Sequence, residues 1–234
     1  MSKRQILVTG SSSGIGKAIT EKMLANGIEV LGFARNHQKF RPNSPNYRPF
    51  EIDLTDSKKL NMLVKNIIIE FPTLDGLVSN AGFGEFGGLE TFSLPQIARF
   101  IDSNLTSHIS ITSLLLPHFK RKTKGDIIFI GSEASISGSR KGSLYCAAKF
   151  GLRGFSQSIR DECSDRNVRV SLINPGMVRT PFFDKLKFKP GEESSHAIEA
   201  TDIATLVLTI LSTRSGTVID EVNLSPLKKF IKFL

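Results

Sequence analysis

The chain has 234 residues, 40% of them hydrophobic, which suits one α/β domain rather than two and leaves enough apolar side chain for a sizeable core. Lys and Arg total 31 against 22 Asp and Glu, a formal net charge of +9. That excess favours encounter with anions, but it is scattered without a long basic block, so no nucleic-acid surface is implied, and no run approaches the roughly 20 apolar residues of a membrane span.

Taken in chain order, short apolar runs alternate with helical patterning. The candidate strands are Ile6–Val8, Glu29–Phe33, Arg48–Ile52, Gly76–Ser79, Asp126–Ile130, Arg169–Ile173 and Thr217–Val222. Such runs fit strands covered on both faces. A first helix is expected from about Lys17 to Asn26. Pro95–Lys120 carries Ile97, Ile101, Leu105 and Ile109 at spacing four, the stripe of a long helix. Ser143–Arg166 carries Leu144, Ala148, Leu152, Phe155 and Ile159 in the same way. Repeated strand–helix–strand units imply a parallel sheet with helices on both faces, and right-handed crossovers make it a doubly wound, Rossmann-type α/β fold of about seven strands. The least regular stretches are His37–Pro49, Gly82–Ser93 and Phe182–Glu199.

The first strand runs directly into Thr9-Gly10-Ser11-Ser12-Ser13-Gly14-Ile15-Gly16. Gly10 permits a tight turn, and Gly14 and Gly16 let backbone approach a ligand and the sheet. A helix beginning there presents free N–H groups and partial positive charge to a pyrophosphate. A phosphate loop of the Gly-Lys-Ser/Thr kind is excluded, because Lys17 is followed by Ala18.

The second strand ends Phe33-Ala34-Arg35-Asn36. In dinucleotide folds an acid here accepts from the ribose 2′-hydroxyl of NAD, whereas an Arg accommodates the 2′-phosphate of NADP. Ala34 fills the acid position and Arg35 can bind a phosphate through two parallel hydrogen bonds, so NADP is the expected cofactor, with NAD second.

Tyr145-Cys146-Ala147-Ala148-Lys149 places a phenol and an ammonium four residues apart, on one face of a helix. Free tyrosine titrates near pH ~10 and is a poor base; a neighbouring lysine is expected to lower that value and let the phenol exchange a proton with an alcohol or carbonyl oxygen. His37, His108, His118 and His196 have no metal-ligand spacing.

These motifs, with Thr9-Gly10-x-x-x-Gly14-x-Gly16 ahead of Tyr145-x-x-x-Lys149, resemble the short-chain dehydrogenase/reductase family over roughly Gln5 to Val222. The resemblance implies a catalytic set of Asn104, Ser132, Tyr145 and Lys149. Ser132 lies thirteen residues before Tyr145, the family's spacing, and would orient the substrate oxygen; Ser135 is its local competitor. Asn104 would hold a water in a proton relay, and Lys149 would hold the nicotinamide ribose. Asp53 and Leu54 resemble the adenine contact. Asn80-Ala81-Gly82 resembles the family's Asn-Asn-Ala-Gly, with Ser79 for the first Asn, and Asn80 is read as structural first. Pro175-Gly176-Met177-Val178-Arg179-Thr180 resembles the segment beside the nicotinamide. The cofactor residues are therefore expected to be Gly10, Ser12, Ser13, Gly14, Ile15, Gly16, Arg35, Asp53, Leu54, Asn80, Ala81, Gly82, Tyr145, Lys149, Pro175, Gly176, Val178 and Thr180.

The expected activity is hydride transfer between NADP and a small carbonyl or secondary alcohol. A reductase of 3-oxoacyl groups on an acidic carrier protein and a non-catalytic sensor of the NADP redox state are the alternatives. A substrate lid is expected at about 181–199, over a hydrophobic or anionic substrate. The basic, apolar tail Lys228–Leu234 is read as packing on the domain or a neighbouring subunit, with contact to a membrane surface as the other reading. Cys146 and Cys163 on one helix would lie roughly 25 Å apart, too far for a disulfide, which suits a reducing, cytoplasmic setting. The family also implies a homodimer or homotetramer through the two long helices.

Overall fold

The computed structural model describes residues 4–38 and 40–234. The first half runs β1 (Gln5–Thr9), α1 (Gly14–Ala25), β2 (Glu29–Ala34), β3 (Tyr47–Glu51), α2 (Ser57–Glu70) and β4 (Gly76–Ser79). Then come α3 (Leu94–Ile101), α4 (Ser107–Lys122), β5 (Gly125–Ile130), α5 (Ser143–Cys163) and β6 (Val168–Pro175). The chain closes with β7 (Val178–Arg179), β8 (Phe188–Pro190), β9 (Ile198–Glu199), α6 (Ala200–Ser212), β10 (Glu221–Leu224) and β11 (Ile231–Phe233).

Seven strands form one parallel sheet in the order β10-β6-β5-β4-β1-β2-β3. The alternation of strand side chains builds two cores. Leu7, Leu31, Leu77, Ile127 and Phe129 join the side chains of α2, α4 and α5 on one face. Ile6, Val8, Val30, Val78 and Ile128 join those of α1 and α6 on the other. This explains why the strand sequences are continuously apolar rather than alternating. Because the strands are parallel, their carboxyl ends share one edge, and the order in which strands are added reverses between β1 and β4. That switch point is where open α/β sheets take ligands.

Two expectations need correction. The stripe in Pro95–Lys120 does not run along one continuous α-helix. Asp102–Thr106 is a π-helical turn between α3 and α4, and this wider turn rotates α4 about its axis relative to α3, so Ile109 is exposed. Phe100, Asn104, His108, Ile111 and Leu115 form the buried side instead. The last sheet strand begins later than Thr217: pairing with β6 starts at Glu221, opposite Leu172, while Thr217 sits in a turn, its N–H donating to the Arg214 carbonyl at 3.0 Å and its own carbonyl accepting from Arg169. The second long helix keeps its expected face, with Leu144, Ala148, Leu152 and Ile159 buried.

Candidate active site

The glycine loop leaves β1 with Gly10 at φ +67° and Gly14 at φ +52°, conformations that side chains disfavour. A Cβ on Gly16 would collide with the backbone oxygen of Gly10 and the amide of Asn80. Ser13 is the N-cap residue of α1, and its side chain makes no capping hydrogen bond; the first turn carries no acid. The helix amino terminus therefore keeps its donors and positive end for an anion. Gly14 faces Thr180, whose Cβ lies 3.4 Å from where a Cβ on that glycine would stand. The loop with Ser12 and Ile15 thus meets the turn after β6, and this cradle of free helix N–H groups fits a dinucleotide pyrophosphate.

Arg35 is exposed at the end of β2, and its charge helps to lower the Asp53 carboxyl, after the dominant hydrogen bonds from Thr55. Leu54 beside it is packed against the first core. Beneath this edge lies a buried chain the sequence did not reveal. The Ser11 and Tyr47 hydroxyls are 3.2 Å apart, and the Tyr47 hydroxyl is 3.0 Å from His37 Nδ1. Asn80 is tied to β1: its N–H donates to Thr9 Oγ1 at 2.9 Å and its amide to the Thr9 carbonyl at 3.0 Å. Ala81 N–H donates to the same hydroxyl at 3.0 Å. Gly82 leaves room for Asn104 Oδ1, which would lie 2.8 Å from a Cβ there.

Asn104 sits in the π turn, fully buried. Its Oδ1 accepts from Phe83 N–H and its Nδ2 donates to the Phe100 carbonyl, each at 3.0 Å. Single π turns recur at functional sites because they offset one residue from the α-helical ladder.

Ser132 follows β5. Its Oγ accepts from Ala134 N–H at 3.2 Å, and its own N–H donates to Asn174 Oδ1 at 3.3 Å. Asn174 in turn donates to Glu221 and Asn223, fixing the ends of β5, β6 and β10 together. Ser135 is fully buried behind Gly131, so Ser132 is the serine facing the phenol. Tyr145 and Lys149 lie on successive turns of α5. Lys149 is 5% exposed, donates to the Ile130 carbonyl at 3.0 Å, and holds its Nζ 5.8 Å from the Tyr145 ring centre.

The electrostatics differ from expectation. Burial pushes the Tyr145 phenol up to about 12; a side-chain hydrogen bond with Ser132 pulls it partly back, and the Cys146 and Glu133 charges add to the rise. Burial also brings Lys149 down to about 8. The lysine does not lower the tyrosine here, because desolvation opposes both charged forms. Behind it, His108 is driven to about 3 by burial and then by the Lys149 charge, so it is neutral; its Nδ1 is 2.7 Å from Ser79 Oγ. Pro175 ends β6 and Gly176 N–H donates to the Leu224 carbonyl at 2.8 Å. Val178 is buried in β7, and Thr180 Oγ1 accepts from Phe182 N–H at 3.4 Å. Cys146 and Cys163 are both buried free thiols. No helix among the described residues is long and apolar enough to cross a membrane.

The comparisons agree with this fold. The family model for short chain dehydrogenase matches residues 4–190. The chain therefore belongs to the short-chain dehydrogenase family of oxidoreductases. Among curated proteins it is similar to sepiapterin reductase of Chlorobaculum tepidum, 29% identical and covering 96% of both chains. It is 33% identical to a 3-oxoacyl-[acyl-carrier-protein] reductase of Salmonella typhimurium, over 74% of this chain and 73% of that one. Among solved structures it resembles a metagenomic short-chain oxidoreductase in complex with NADP, with TM-score 0.82, 29% identity and coverage of 95% and 96%.

Proposed function

We propose that the chain is an NADP-dependent reductase of small carbonyl compounds, or the reverse alcohol dehydrogenase. The observation that carries this reading is the convergence of Ser132, Tyr145 and Lys149 at the carboxyl end of β5, beside a cradle shaped for a dinucleotide. When bound, the nicotinamide supplies or accepts the hydride.

The chain's own groups do the rest. Gly10, Ser12, Ser13, Gly14, Ile15 and Gly16 would hold the pyrophosphate, and Arg35 the 2′-phosphate. Asp53 and Leu54 would flank the adenine. Asn80, Ala81 and Gly82 support the floor, and Pro175, Gly176, Val178 and Thr180 the nicotinamide end. Ser132 donates a hydrogen bond to the substrate oxygen and orients it. Tyr145, neutral at working pH, gives that oxygen its proton as the carbonyl carbon is reduced; in the alcohol direction the proton returns. Lys149 brings positive charge beside the phenolate that forms, and Asn104 shapes the turn behind it. The NADP reading is supported by Ala34 in the place of a ribose-binding acid with Arg35 directly after it, and by the NADP complex of the metagenomic relative.

Residues 181–199 serve as the substrate lid of a single-domain enzyme. Two free, buried cysteines suit a reducing cytoplasm. A homo-oligomer through the α4 and α5 faces is part of the proposal, since Ile109 and Phe150 are exposed there; sedimentation of the purified protein tests it.

The 33% identity to a carrier-protein reductase supports the second reading. A panel of free ketones, aldehydes, alcohols and carrier-bound 3-oxoacyl groups, run with NADPH and NADH, decides between them. Turnover of free ketones with NADPH is expected. Turnover confined to carrier-bound substrate and suppressed by salt favours the second reading. Tight NADPH binding with no turnover on any substrate favours a sensor.

A further inference from the structure

Tyr145 is one member of a closed ring of aromatic side chains. Its ring centre lies 5.2 Å from that of Phe86. Phe86 lies 5.1 Å from Phe188, and Phe188 5.9 Å from Phe183. Phe183 lies 5.1 Å from Phe182, and Phe182 closes the circle 6.0 Å from Tyr145. Most of the rings meet edge to face, at 61° to 78°, and the Phe86–Tyr145 pair is tilted at 43°. Phe182 and Phe183 come from the loop after β7, Phe188 from the start of β8, and Phe86 from the stretch after β4. Two irregular segments with no shared strand are thus joined through the candidate catalytic phenol.

The collar is built rather than incidental. Gly84 lies under it, and a Cβ there would collide with the tip of the Phe182 ring and come within 3.0 Å of Phe86. The collar phenylalanines are all only partly exposed, so they bound accessible space rather than fill the core. Of the nearby charges, Glu85 pairs with Arg99 at 3.2 Å and Glu133 with Lys229 at 2.8 Å, while Asp184 and Lys189 line a cavity beside Phe183. Lys185 and Lys187 are exposed. Tyr145 is therefore the one ionisable member of the ring.

We infer that this collar selects carbonyl compounds bearing a planar aromatic group, seated edge to face among Phe86, Phe182 and Phe188 with its carbonyl at Tyr145 and Ser132. The inference rests on the proposed reductase activity and adds to it the substrate class. A saturated ring of the same size buries equal area but lacks the quadrupole that makes edge-to-face contacts favourable. Among the five rings only the Tyr145 hydroxyl is polar, so the faces of Phe86, Phe182 and Phe188 offer nothing to a polyol or a phosphate.

The test compares 4-phenylbutan-2-one with 4-cyclohexylbutan-2-one, whose carbonyls are electronically alike and whose rings alone differ. With NADPH, kcat/KM is expected to favour the phenyl ketone by roughly two- to tenfold. The preference should fall towards one in Phe86→Leu and Phe188→Leu. Calorimetric binding of both ketones to the NADP-loaded protein should show the same order, whether or not either is turned over. Equal or better use and binding of the cyclohexyl ketone overturns the collar proposal while leaving the reductase reading intact. Ordered ketone binding without turnover of any carbonyl would overturn the reductase reading and retain the collar.

Discussion

Lys149 donates its ammonium to the Ile130 carbonyl at 3.0 Å, which anchors it beneath Tyr145 and away from solvent. This burial makes the lysine a pH sensor of the fold. Its folded value, about 8, is depressed from 10.5. Between those values the unfolded chain holds a proton that the folded one has released, so this group's contribution to stability rises with pH through that window. Tyr145, raised from 10 to about 12, acts oppositely: the folded chain keeps a proton that the unfolded one loses, and stability falls above pH 10. The stability of wild type relative to Lys149→Met should therefore increase from pH 7 to 9.5, by about 2 kcal/mol. Urea unfolding midpoints at the two pH values check this; a gap that does not move contradicts it.

Arg35 is exposed at the β2 terminus with the Asp53 carboxyl within its field. Replacing it by Asp puts a charge where a 2′-phosphate would lie and offers an acceptor to a free ribose hydroxyl. The ratio of kcat/KM for NADPH over NADH should drop by roughly 10–100-fold, the worth of one charge-assisted hydrogen bond. An unchanged ratio removes Arg35 from the cofactor site.

Asn174 stands behind Ser132, taking its N–H on Oδ1 and donating to Glu221 at 2.8 Å and Asn223 at 3.0 Å. It is 1% exposed. Asn174→Ala should cost about 1–3 kcal/mol of stability by stranding those partners. If it also positions Ser132, kcat should fall while KM for the dinucleotide stays near wild type. Calorimetric unfolding and steady-state kinetics separate the two effects.

The carboxyl-terminal strand β11 pairs with β8, inside the proposed lid. Phe230 stacks on His196 at 4.8 Å, Lys232 pairs with Glu192 at 2.7 Å, and Lys229 reaches Glu133 beside the candidate serine. Surface ion pairs are individually weak, but together with the strand pairing they strap the proposed lid to the domain. Removing residues 229–234 should raise KM for carbonyl substrates several-fold and leave the binding of NADPH unchanged. Vesicle flotation of the intact chain tests the membrane reading of the tail, which its strand pairing does not favour.

The parts of the site that depend on local backbone were legible in the sequence. Gly10 and Gly14 adopt positive φ, and Gly16 lies against backbone, so their spacing had to appear as glycines. Tyr145 and Lys149 share a face because α5 runs unbroken past both. What stayed hidden depends on contacts far apart in the chain. The π turn at Asp102–Thr106 adds a residue to a helix without any glycine or proline to mark it, so the spacing-four stripe led to Ile109 rather than to the buried Asn104–His108 side. Phe86, Phe182 and Phe188 lie in segments with no periodicity, and only tertiary packing brings them round Tyr145. The tyrosine's raised pKa was hidden for the same reason: a motif shows the nearby lysine but not the desolvation that outweighs it.

Tyr145→Phe tests the central claim most directly. The change keeps the ring, its contacts with Phe86 and Phe182, and the burial, and removes the hydroxyl that carries the proton, together with its hydrogen bond to Ser132. With NADPH and a ketone turned over by the wild type, kcat/KM should fall by about 10²–10⁴-fold, while NADPH binding measured by fluorescence stays within a few-fold. Near-normal turnover by the phenylalanine variant would contradict the assignment of Tyr145 as the proton donor.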